Sequence, residues 1–114
     1  MPHPVVHFEV GCRDQAKISE FFSKLFDWNI QQEGPAAMIR TGEGIGGHIS
    51  ALGHEPHNYV TFYVAVDDVQ GYLDKATALG GKALLPVIQL PTGEFSWLSD
   101  PEGNIIGLFK ENLK

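Results

Sequence analysis

Val6-His7-Phe8-Glu9-Val10 and Val60-Thr61-Phe62-Tyr63-Val64 lie 54 residues apart and share one pattern. In each, alternate positions are apolar, as in a half-buried strand. The same offset superposes Asp14 on Asp68 and Leu25 on Leu79. Each half therefore places an Asp, able to cap a helix N-terminus, between its strand and a helical pattern. Those patterns are Ile18, Phe21, Phe22 and Leu25 in the first half, and Val69, Tyr72, Leu73 and Ala76 in the second. Gly80-Gly81 ends the second helix, and Asp27-Trp28 ends the first. A further shift of five residues lays Arg40–Gly44 over Ser99–Gly103 and His48 over Gly107. Turn signals at Gly34-Pro35, Gly42–Gly44, Pro91–Gly93 and Asp100–Asn104 then separate three short strands in each half.

The repeat predicts an α+β fold of two tandem βαβββ modules, about residues 1–53 and 58–114, within a single domain spanning 1–114. Gly53–Asn58 reads as the linker. A sheet of this kind buries one face under its helix and leaves the other needing cover, so the two copies are expected to associate.

Composition narrows the function. Hydrophobic residues make up 43% and charged residues 19%, an ordinary globular balance that argues against a disordered chain. The charge is 8 − 14 = −6, with no Lys/Arg cluster to track phosphates, so no nucleic-acid partner is expected. The longest apolar run, Val60–Val66, falls far short of the roughly 20 residues that cross a bilayer, so no membrane partner is expected either. Met1-Pro2-His3-Pro4 lacks the pattern of a signal peptide, and a cytoplasmic location is expected. The single cysteine, Cys12, rules out an intrachain disulfide and a four-thiolate zinc site, and is expected to be a buried, inert thiol.

Five features together resemble the vicinal oxygen chelate superfamily. They are the tandem βαβββ plan, His7 seven residues before Asp14, Phe21-Phe22 in the first helix, Val66-Asp67-Asp68-Val69, and Asp100-Pro101-Glu102-Gly103-Asn104. That superfamily includes glyoxalase I, extradiol dioxygenases, fosfomycin-resistance enzymes and bleomycin-resistance proteins. The resemblance implies curved mixed sheets and a homodimer. In metal-dependent members it also implies ligands on the first and last strands of each module. Carried over, those places are His7, His48, Thr61 and Gly107. The two histidines can bind a divalent metal through imidazole nitrogen. Thr61 is a poor ligand, and Gly107 stands where glyoxalase I has its glutamate. The expected cofactor state is either none or a divalent metal on the incomplete pair His7 and His48.

Strand parity extends the candidate site. His7 and Glu9 share the face opposite Phe8, which makes Glu9 a candidate catalytic acid–base, a third ligand, or an anchor for a cationic group. Arg40 is its alternative partner. Phe62, Val64 and Leu98 take the core parity. Tyr63, Thr61, Phe95 and Trp97 take the other, with Met38 and Arg40 at the matching places in the first module and Phe109 just after Gly107. These seven non-core residues are the candidate ligand-binding set, an aromatic cavity with few polar anchors. Trp28 reads as structural, and His3, His54 and His57 as surface residues.

Two functions follow. One is a glyoxalase/bleomycin-resistance-like protein that binds a small molecule in a concave aromatic cavity without a complete metal site. The other is a metal-dependent lyase, isomerase or dioxygenase of the same superfamily that uses His7 and His48.

Overall fold

The computed structural model describes residues 2–51 and 56–112. The expected linker residues Gly53, His54 and Glu55 lie outside the described residues. The chain divides into two compact units, Val6–Thr61 and the remainder, in which the N-terminal residues up to Val5 join Phe62 onward.

The first unit runs β1 (Val5–Gly11), α1 (Gln15–Phe26), β2 (Asn29–Glu33), β3 (Ala36–Arg40) and β4 (Gly46–Ser50), with strand order β2-β3-β4-β1. β1 and β4 pair in parallel and the other pairs are antiparallel. Asp14 caps α1 by accepting from the Lys17 N–H at 3.0 Å. Asp27 closes it in the left-handed region at φ 60°, its N–H returning to Ser23 O. Cys12, Ala37, Ile39 and Ile49 form the buried core, with Phe8, Val10, Ile18, Phe22 and Trp28 packed against it. Burial and the nearby Asp14 push the Cys12 thiol up, as expected of an inert group.

The helix departs from the expected face. Ile18 and Phe22 pack inward, whereas Phe21 and Leu25 are 55% and 56% exposed. Trp28 is the physical reason. Its ring lies 5.7, 5.5 and 5.0 Å from those of Phe8, Phe22 and Phe26, filling the sheet side of the helix end.

The second unit holds α2 (Val69–Ala78), β6 (Lys82–Ala83), β7 (Ile88–Leu90), β8 (Gly93–Ser99) and β9 (Ile105–Glu111). It also takes most of β5 (Tyr59–Ala65), whose first residues, Tyr59–Thr61, cluster with the first unit. β5 pairs in parallel with β9, β9 pairs antiparallel with β8, and β6 and β7 both pair with β8. One expected strand is thus split in two. Pro86 lies in the break, where a residue without an N–H cannot continue a ladder. The N–H groups of Leu84 and Leu85 turn instead to Trp97 O.

Asp68 caps α2 through the Gly71 N–H at 3.0 Å, and Gly80 at φ 98° follows its end. Val66, Val69, Leu73 and Leu108 form this unit's core, with Val64, Tyr72, Val87 and Leu98 around it. Phe62 does not join them and is 41% exposed. None of the described helices is long and apolar enough to cross a membrane.

Candidate functional site

Strand pairing places the two halves of the repeat in matching rows. In the first unit, Glu9 is the cross-strand partner of His48, and His48 that of Met38. In the second, Tyr63 partners Gly107, and Gly107 partners Trp97. The offsets of 54 and 59 residues read from the sequence carry one row onto the other, so the repeat alignment holds in three dimensions.

The first row is polar. Ala37, Ile39 and Ile49 point into the helix-side core, so Met38 and His48 point to the opposite face with His7 and Glu9. His7 Nε2 and His48 Nδ1 are hydrogen-bonded at 2.7 Å. His48 Nε2 lies 3.5 Å from Glu9 Oε1. Glu9 Oε2 accepts a hydrogen bond from the Tyr59 hydroxyl. Four side chains from β1, β4 and the start of β5 thus form one chain of contacts, His7–His48–Glu9–Tyr59.

Burial sets their protonation. It pushes His7 down to about 4, helped by His48 and opposed by Glu9, so this imidazole is neutral at neutral pH. Burial, together with the bond to Glu9 and its charge, pushes the Tyr59 hydroxyl far up, so it stays a donor. Glu9 is only 4% exposed.

Sequence reasoning missed Tyr59 and Ser50. Ser50 is two residues beyond His48 on β4 and thus on the same face. Its buried Oγ lies near enough to Tyr59 to favour the ionised phenol slightly, and it has no hydrogen-bond partner among the described residues. The period of two that placed Thr61 and Tyr63 reaches Tyr59, and that which placed His48 reaches Ser50. Arg40, the expected alternative partner of Glu9, is exposed and faces Glu33 at 3.9 Å instead. Thr61 is buried in the first unit at 3% exposure.

The second row is aromatic and closed. Trp97 Nε1 donates to the Tyr63 hydroxyl at 2.8 Å, and Phe95 meets the Tyr63 ring edge-on at 6.2 Å. Phe95 and Phe109 are neighbours across β8 and β9. The Tyr63 ring lies over Gly107, where even a Cβ would stand 2.3 Å from Cδ2. Gly107 therefore lacks a ligand side chain, and the space for one is already filled.

Asp100 accepts bonds from Asn104 and Glu102 that hold its carboxyl low, as a turn residue would. His3 is exposed and bonds the Tyr72 hydroxyl, but His57, expected at the surface, is half-buried.

These residues do not fit a chelated metal. Two nitrogens on one tetrahedral ion would stand roughly 3.4 Å apart; here they are 2.7 Å apart and hydrogen-bonded to each other. Glu9 is engaged by Tyr59. Among the described residues, no three His, Cys, Asp or Glu side chains are grouped to hold an ion.

Fold and sequence together define a glyoxalase-like protein. The chain belongs to the glyoxalase-like domain family, whose sequence profile matches residues 6–109. A glyoxylase-like domain-containing protein of Didymella fabae is 30% identical, the match covering 84% of each chain. "Putative glyoxylase CFP32" of Mycobacterium bovis is 26% identical over 91% of this chain but only 44% of its own length, so this chain spans less than half of that relative. Among solved structures, a glyoxalase/bleomycin resistance protein/dioxygenase superfamily member from Vibrio splendidus matches with TM-score 0.66 at 16% identity, over 97% of this chain and all of that one. Methylmalonyl-CoA epimerase from Mycobacterium tuberculosis matches with TM-score 0.69 at 10% identity, over 96% and 88%. Both likenesses concern the fold.

Proposed function

We propose that this glyoxalase-like protein binds a small molecule at the His7–Glu9–His48 face of its first module and does so without a resident metal ion. The 2.7 Å bond between His7 Nε2 and His48 Nδ1 carries this reading, because it commits to each other the nitrogens a metal would need. Met38, Arg40 and Thr61 supply further contacts in the first module. Tyr63, Phe95, Trp97 and Phe109 form a separate aromatic candidate set within the second module. The glyoxylase names of the relatives support a small oxo compound as the ligand class. The same reading has the protein acting in the cytoplasm as a homodimer, by analogy with the superfamily.

The test is binding of a panel of 2-oxo aldehydes, 2-oxo acids and aromatic cations, read by thermal shift and calorimetry before and after chelator treatment. Binding that survives the chelator and is lost in His7→Ala is the expected result. Binding that appears only after addition of a divalent ion would favour the metal-dependent lyase, isomerase or dioxygenase.

A further inference from the structure

We infer that Glu9 is a positioning residue: its carboxylate fixes which nitrogen of His48 carries the proton and, through His48, which nitrogen of His7 does. The argument needs only donors and acceptors. An ionised carboxylate accepts and cannot donate. His48 Nε2, 3.5 Å from Glu9 Oε1, is therefore favoured as the N–H nitrogen, since a lone pair there would face a negative oxygen. In neutral His48 that leaves Nδ1 as an acceptor. The 2.7 Å contact then requires the proton on His7 Nε2, which makes Nδ1 the unprotonated nitrogen of His7. One buried charge thus orders two imidazoles in series, as an Asp orders a single His in a catalytic triad.

The carboxylate is itself held. Its second oxygen accepts from the Tyr59 hydroxyl. The Tyr59 ring lies so close on Gly11 that a Cβ there would stand 2.0 Å from Cε2. Gly11 thus admits the ring that pins the carboxylate, and the carboxylate sets the histidines. Any use of this proton order by a ligand rests on the binding function proposed above, whereas the tautomers belong to the ligand-free chain.

The experiment is long-range proton–nitrogen NMR of the imidazoles of the full chain, chelator-treated and ligand-free. It is run at about pH 8, above the usual imidazole pKa of about 6.5. Protonated Nε2 and unprotonated Nδ1 are expected for both His7 and His48. In Glu9→Met, which removes the acceptor, both rings are expected to move towards tautomer mixtures. A proton on Nδ1 of either ring in the wild type would overturn the inference even if Glu9→Met did not fold. Unchanged tautomers in a folded Glu9→Met would also overturn it. A metal requirement for binding would instead sink the proposed function and leave these spectra as they are.

Discussion

Gly107 lies beneath the ring of Tyr63, and that ring is tied by its hydroxyl to Trp97 on the far side of the same glycine. The place to which the family resemblance would assign a glutamate is therefore bridged by two aromatic side chains. The bare backbone at 107 and the Tyr63–Trp97 pair are two aspects of one packing arrangement.

Restoring a side chain at 107 should consequently be costly. Gly107→Ala is expected to destabilise by about 1–3 kcal/mol through overpacking. Gly107→Glu is expected to acquire no metal affinity. Urea unfolding of both, with Tyr63→Ala as the second arm of a double-mutant cycle, measures this. A coupling energy near zero would mean that the ring yields freely.

The two faces of α1 give a second contrast. Phe22→Ala should cost about 3 kcal/mol, because its ring packs on the core. Phe21→Ala should stay within about 0.5 kcal/mol, because that ring is mostly exposed. Equal losses in thermal or urea unfolding would contradict the packing described.

Much of this was legible in the sequence, for definite reasons. Strand alternation places His7 and Glu9 opposite Phe8, and the repeat offsets carry Glu9 onto Tyr63 and His48 onto Gly107, residues that the strands pair within each unit. Asp14 and Asp68 announced their helices because an Asp before an apolar periodic run has one favourable use, the cap. What failed depended on long-range packing. Ile18, Phe21, Phe22 and Leu25 fit an apolar stripe equally well, and only Trp28 returning from beyond the helix selects which of them face inward. Phe62 has core parity yet is 41% exposed, since alternation fixes which face a side chain takes and not whether that face is covered there. Tyr59 escaped notice because it follows the linker, although it shares the parity of Thr61 and Tyr63.

His7 makes stability depend on pH. Its folded-state pKa of about 4 lies below the unfolded value of 6.5, so the unfolded chain binds the extra proton between them. The contribution of His7 is present above the ordinary imidazole value and is lost as pH falls through it towards 4. The urea midpoint should therefore drop between about pH 7.5 and pH 5, and the drop should be smaller in His7→Gln. A midpoint that rises on acidification would show that His7 is charged in the folded state.

Removing a cap tests the helix boundaries. Asp14→Ala should cost about 1 kcal/mol, since the Lys17 N–H then loses its acceptor. Asp14→Ser should recover most of that in equilibrium unfolding, and failure to recover would point to a role for the charge beyond capping.

The central claim is that His7, His48 and Glu9 form a metal-free relay. It is tested most directly by elemental mass spectrometry on untagged protein purified without chelators and then incubated separately with Mn, Fe, Co, Ni and Zn. The account predicts no stoichiometric metal after desalting. One equivalent of any of these ions per chain, lost in the His7→Ala, His48→Ala double variant, would contradict it.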